Sequence, residues 1–146
     1  MADQFDHSVN TEVPWQVVSY PRLASTMDEA WVLLRKKAQE GIVVSTQDQY
    51  KGRGRNGKVW IGKPGQSLAF SVTLFPRIDT LLLLAPAFSL ALVQCFKKVQ
   101  NSDVSVKWPN DILINGKKAA GMLMETVHQN SSIHMVLGIG INLTLD

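Results

Sequence analysis

Two arginines alternate with glycines in Gly52-Arg53-Gly54-Arg55-Asn56-Gly57. Glycine lets a backbone take positive φ and come close to a ligand with its amide N–H groups turned inward. The guanidinium is a planar, permanently charged fork that suits a carboxylate or a phosphate. Such a loop has the chemistry to hold an anion, and it serves equally as a flexible basic loop on the surface. It is not a Walker loop, because no Gly-Lys-Ser/Thr follows it and no helix start is read there.

Two later segments add candidate groups. In Val106-Lys107-Trp108-Pro109-Asn110-Asp111 a strand ends at a proline and presents Lys107, Asn110 and Asp111 together. Asn and Asp at such junctions also commonly do no more than satisfy turn amides. Asn115-Gly116 is a strong hairpin dipeptide, so Lys118 is expected to fold back beside Asp111. Spacing alone does not separate that role from a solvated Lys117–Lys118 pair. Gly121 within the returning strand predicts a bulge or a close approach by a ligand. Gly138 and Gly140, in Gly138-Ile139-Gly140-Ile141-Asn142, weaken a final strand unless something lies flat against it.

Other chemistries find little support. Cys95 is the only cysteine, which excludes an internal disulfide and a cysteine-rich metal site; within an apolar helical pattern it reads as a packed thiol. His7, His128 and His134 lack metal-ligand spacing and read as surface or turn residues. The net charge of +3 is too small and dispersed to argue for nucleic acid.

The elements that must position these groups follow from periodicity. Trp15–Tyr20 alternates and reads as a strand. Ser25 and Thr26, each with an acid three residues on, start a helix that Gly41 stops. Ile42–Thr46 is a buried strand, and the glycine segment after it is too rich in glycine for regular structure. Ser67–Phe75 is a strand, Thr80–Gln100 a helix with Pro86 near its first turn, and Val104–Trp108 a short strand. A hairpin joins 112–114 to 119–127, a turn spans Gln129–Ser132, and 133–143 is the last strand. Consecutive hairpin strands at the end predict an α+β fold: a mixed, largely antiparallel sheet with helices against one face. One domain is expected over 15–146, preceded by a flexible 1–14. With 45% hydrophobic residues, no signal-peptide pattern and no apolar run near the roughly 20 residues that cross a bilayer, a cytoplasmic protein is expected, with no membrane contact.

In this order, GRGRNG (52–57) with Trp60, KWPNDI (107–112), KKAAGMLMET (117–126) and GIGIN (138–142) resemble the biotin–protein ligase family, and Ser25-Thr26-Met27 is similar to its helix-start motif. The resemblance implies a fold related to class II aminoacyl-tRNA synthetases and biotin–lipoate ligase catalytic domains. It implies a biotin site of Ser25, Thr26 and Gln49 at the ureido ring, with Gly52, Arg53, Arg55, Lys118 and Gly121. For ATP and the adenylate it implies Arg53, Arg55, Trp60, Lys107, Asn110, Asp111 and Asn142, with Mg²⁺ near Asp111. Arg55 and Lys118 are the implied catalytic cations.

The reaction implied is formation of biotinyl-AMP from biotin and ATP, then transfer of biotin to a lysine of a biotin carboxyl carrier domain, that of acetyl-CoA carboxylase. Family members usually continue beyond GIGIN, and repressor members carry a DNA-binding region before the catalytic part. Neither is expected in this chain, nor is DNA binding; a homodimer is admitted. Two other readings stay open at this level: a non-catalytic module that binds biotin or biotinyl-AMP, and a lipoate or octanoate transferase of the same fold, whose octanoyl transferases use a cysteine.

Overall fold

In the computed structural model, which describes residues 13–99, 102–129 and 131–144, the chain opens with β1 (Gln16–Tyr20), α1 (Thr26–Lys37) and β2 (Ile42–Thr46). A short hairpin follows, β3 (Gly52–Arg53) and β4 (Val59–Trp60) around a 3-10 turn at Arg55–Gly57, and then β5 (Ser67–Leu74). A second 3-10 turn (Leu81–Leu83) runs into α2 (Leu84–Val99). The described part finishes with β6 (Val104–Lys107), β7 (Asp111–Ile114), β8 (Lys117–Gln129) and β9 (Ser132–Asn142). Of the expected flexible 1–14 terminus, positions 1–12, with His7 among them, lie outside the described residues.

Seven strands form one sheet in the order β1-β2-β5-β9-β8-β7-β6. β1 and β2 run parallel and every other neighbouring pair antiparallel, so the expected mixed, largely antiparallel α+β sheet is observed. The glycine segment departs from expectation, because Gly52 and Arg53 pair with Trp60 and Val59 as a separate two-stranded hairpin. Two-residue strands have no period to read in a sequence.

Successive strand residues point to opposite faces, and the registers assign them. On β9, Val136, Gly138 and Gly140 face the same side as Thr73, Ser71 and Ala69 of β5, and as Glu125, Leu123 and Gly121 of β8. This is the face of α1, whose Met27, Ala30 and Leu34 bury against Ile42, Val44 and Val136. The other face carries Met135, Leu137, Ile139 and Met122, packed against Leu84, Phe88 and Leu92 of α2. The two helices therefore lie on opposite faces of the sheet, not on one. Connection order is visible in a sequence; which side each crossover takes is decided by the strand pleat.

Local chemistry sets the helix ends. Ser25 caps α1 by accepting from the Asp28 amide at 3.3 Å. The helix ends before Gly41: Ala38 takes the left-handed conformation (φ 46) and its N–H bonds Leu34 O. On α2, Pro86 sits in the first turn as expected, where a missing N–H breaks no bond.

The run Leu81–Val99 is longer than the sequence reading allowed. Its 19 residues are by length and composition enough to cross a membrane: an 18-residue stretch has mean hydropathy 1.5, and 17% of that stretch is buried. Leu82, Leu83 and Leu90 are exposed on it, and Cys95, expected to be packed, is exposed too. An apolar run does not say which of its sides meets the sheet, and Cys95 falls on the outer one.

Candidate functional site

A cavity of about 250 Å³ opens on the α1 face of the sheet. Its floor is the part of that face where side chains are missing: Gly138 and Gly140 of β9 and Gly121 of β8. The Gly-Ile-Gly-Ile alternation now has a reason. The isoleucines point to the α2 face and fill the core, while the glycines leave the α1 face bare. What lies flat on that bare strand comes from the chain itself. A Cβ on Gly138 would stand 2.6 Å from the Met27 sulfur, and one on Gly140 2.2 Å from the Trp60 ring.

One end of the cavity is neutral and polar. The Thr26 amide donates to Gln49 Oε1 at 2.8 Å, the Thr26 hydroxyl lies 3.1 Å from the same oxygen, and it shares a 2.8 Å hydrogen bond with the Ser71 hydroxyl. These contacts fix the first turn of α1 and the Gln49 side chain over β5, beside Ser25.

The other end is cationic and lies over β7 and β8. Asn110 is clamped to β8, its amide donating to Met122 O at 3.0 Å while the Met122 N–H donates to Asn110 O at 2.8 Å. Its side-chain oxygen accepts from Arg55 at 3.2 Å. As expected, the hairpin returns Lys118 beside Asp111, with Nζ 2.9 Å from Oδ1. Asn115 and Gly116 both take positive φ (50 and 76), as a two-residue hairpin turn requires. The bulge on β8 falls at Ala119, where the register with β7 shifts, and not at Gly121; Gly121 is instead approached by Trp60 and Lys118. The Lys118 ammonium lies 5.5 Å from the Trp60 ring centroid. The Trp60 indole N–H is buried and without a hydrogen-bond partner among the described residues.

The two ends sit over β5 and β7, three strand spacings apart in the sheet order, or about 14 Å at the usual spacing. Most of the sequence-derived candidates line this one cavity: Ser25, Thr26, Gln49, Arg53, Arg55, Trp60, Asn110, Asp111, Lys118 and Gly121. Gly52 does not; it is buried behind the wall, where a Cβ would meet Gln49 and the Trp60 carbonyl. Lys107 is exposed on β6 and outside the cavity lining. Asn142 lies in a second, adjacent cavity with Lys117 and Lys118, its amide donating to Lys118 O at 2.9 Å. Met27, Met122 and Leu123 line the main cavity and were read from sequence as ordinary apolar positions. Among the described residues no three His, Cys, Asp or Glu side chains converge as for a metal. His128 is exposed, and His134 stacks on Phe75 with centroids 4.6 Å apart.

Comparison with known proteins gives a consistent picture. Residues 19–142 match the Biotin/lipoate A/B protein ligase family. The chain is similar to the Bifunctional ligase/repressor BirA of Bacillus subtilis, 37% identical over 142 residues, which is 92% of this chain and 43% of that protein. Its structure is similar to that of biotin protein ligase from Leishmania major in complex with biotinyl-5-AMP, at TM-score 0.75 and 27% identity over 88% of this chain and 57% of that one. Biotin protein ligase from Aquifex aeolicus, in complex with biotin and ATP, is similar at TM-score 0.72 and 29% identity over 87% of this chain and 52% of that one. The chain thus spans less than half the length of the curated relative it matches.

Proposed function

The chain belongs to the biotin/lipoate A/B protein ligase family, and from that premise we propose that it activates biotin with ATP and transfers it to a carrier lysine. In the first step a biotin carboxylate oxygen attacks the α-phosphorus of ATP. An anhydride bond forms and pyrophosphate leaves with its electron pair. In the second, an unprotonated lysine amine of a biotin carboxyl carrier domain attacks the anhydride carbonyl; an amide forms, AMP leaves and the amine loses its proton.

The observation that carries this reading is the polarity of the cavity. Thr26, Gln49 and Ser25 offer neutral hydrogen-bonding groups at one end, as a cyclic urea needs, and Arg55 and Lys118 offer cations at the other. Between them Met27 and Leu123 line the cavity, with Met27 and Trp60 lying over the glycines, and this apolar stretch suits a thin apolar middle. A molecule with a neutral polar head and a carboxylate tail fits that sequence of environments. Two anions meet at the cationic end, so fixed positive charge there stabilises the phosphoryl oxygens as bonds change. Arg55 is suited to this because its hydrogen-bond partner, Asn110, is a neutral amide. Trp60, at the cavity, and Asn142, in the adjoining one, are the side chains proposed for the adenine.

Among the described residues Asp111 is the one carboxylate in the cavity lining, and it is already paired with Lys118. That donor set does not make a resident Mg²⁺ site, and Mg²⁺ is written here as part of the Mg–ATP substrate. Transfer through a cysteine is not favoured, since Cys95 lies on α2, across the sheet from the cavity.

The test is to incubate the protein with biotin, Mg–ATP and a biotin carrier domain and weigh the carrier. A mass gain of one biotin is expected. Biotin binding without pyrophosphate release or mass gain would replace this reading with a binding module, and octanoyl or lipoyl transfer would replace it with the transferase.

A further inference from the structure

Arg53 lines the cavity, yet its guanidinium is engaged by carboxylates of two other elements. Nη1 bonds the Asp28 carboxylate, in the first turn of α1. Nη2 lies 3.2 and 3.3 Å from the two Glu125 oxygens on β8, with Nε 3.4 Å from one of them. Glu125 is itself held from α1, because the Trp31 indole N–H donates to Oε2 at 2.9 Å. One fork thus ties the glycine hairpin to α1 and to β8.

Charge and chain path separate Arg53 from Arg55. One guanidinium stands between two carboxylates, so the local balance is −1 and an incoming carboxylate or phosphate meets repulsion there. The Arg53 pKa is raised: burial alone would lower it, and the hydrogen bonds and charges of Asp28 and Glu125 outweigh that. Residues i and i+2 of a strand share a face, but the hairpin leaves its strand after Arg53 and enters the 3-10 turn at Arg55. Arg55 thereby reaches Asn110 in the cavity while Arg53 stays with Asp28 and Glu125.

We propose that Arg53 is a positioning residue that latches the glycine hairpin onto α1 and β8 and so aims Arg55 at the reacting end of the cavity, without itself neutralising the reacting anions. The assignment rests on the activity proposed above only for its kinetic consequence; the latch itself is a matter of which groups hold the hairpin. Exposed ion pairs are individually weak. Here Trp31 orders Glu125 before the fork reaches it, and a fork on oriented acceptors loses less freedom than two separate pairs.

Four proteins test it: the parent, Arg53→Gln, Glu125→Gln and the double variant. Gln keeps the size of Glu125 and an oxygen for Trp31, so folding is preserved. In ligand-free protein, amide hydrogen exchange over residues 51–60 is expected to quicken roughly fivefold in each single variant, the upper range for an exposed pair. The double variant should exchange no faster than Arg53→Gln, because Glu125 holds the hairpin through Arg53. In pyrophosphate-release assays kcat/KM for biotin should fall in both singles, because a hairpin that is latched less of the time presents Arg55 less often. Exchange in Glu125→Gln at the parent rate would overturn the latch. So would a large loss of kcat in Arg53→Gln that Glu125→Gln does not share, which marks an anion ligand. If the parent itself releases no pyrophosphate, the activity reading fails, while the exchange comparison still decides the latch.

Discussion

Replacing Gly140 by alanine tests whether a bare strand under Trp60 is what the cavity depends on. Gly140 is an interior residue of β9, paired with Ala69 on one side and Gly121 on the other, so alanine meets no backbone penalty there. The whole cost is contact. The new Cβ would stand 2.2 Å from Trp60 Cε2, 2.5 Å from Cζ2 and 2.7 Å from Nε1. Carbon atoms rest about 3.5–4.0 Å apart, so the ring must retreat by roughly 1.5 Å. An indole has no flexible end to fold away, unlike the Met27 thioether that meets Gly138. Overpacking of this kind costs about 1–3 kcal/mol, or roughly 3–10 °C in melting temperature for a domain of this size.

The assay is a double-mutant cycle of Gly140→Ala with Trp60→Ala, read by thermal melting and by biotin titration calorimetry. Gly140→Ala alone should melt lower and bind biotin at least about tenfold more weakly. With the indole removed, the alanine should cost little, so the coupling energy should approach the full penalty. A Gly140→Ala protein that melts and binds like the parent refutes the reasoning. So does a penalty that persists in the Trp60→Ala background, because the ring would then not be what the Cβ strikes.

Lys118→Ala should slow pyrophosphate release from biotin and ATP about a hundredfold, as expected for loss of a preorganised cation. Lys117→Ala should change it only a few-fold, and the reverse ranking would mean that the role belongs to the neighbouring lysine. Thr26→Val should lower stability to urea by about 1–3 kcal/mol, since the buried Ser71 hydroxyl loses its partner; an unchanged midpoint would show that Ser71 is satisfied elsewhere. Tyr20 donates to Glu29 at 2.9 Å, and this hydrogen bond, then burial and the Glu29 charge, raise its pKa. The folded state thus favours the neutral phenol, its contribution is complete below the ordinary tyrosine value and is lost as pH rises through the folded value. Tyr20→Phe should therefore flatten the alkaline limb of a stability–pH curve, and a limb of unchanged steepness would count against the bond.

Much of the fold was legible because its signals are local. Ile42–Thr46 needs only a β-branched run, the Ser25 cap a hydroxyl three residues before Asp28, and the Asn115-Gly116 turn two residues that tolerate positive φ. The placement of α1 and α2 on opposite faces was not legible, since it depends on which half of each strand meets each helix. The exposure of Cys95, Leu82 and Leu90 was hidden for the same reason. A nearly continuous apolar helix gives no polar stripe to mark its outer side, so every position looks packed.

The site was legible to the extent that its chemistry is carried by residue type at short range. Glycines in a strand announce a close approach, and Gly138 and Gly140 do have one; that the visitors are Met27 and Trp60 requires contacts 111 and 80 positions apart, by subtraction of the numbers. The two arginines of the hairpin look alike in sequence, because what divides them lies outside the segment. Asp28 reads there as a helix-start acid and Glu125 as one polar residue in a strand. Only the register that sets Glu125 on the face of Gly121 and Leu123, next to α1, brings both carboxylates to Arg53. The same register leaves Arg55 with a neutral partner, so the division of labour between two like cations is fixed by strand parity on β8, which no local reading of Gly52–Gly57 contains.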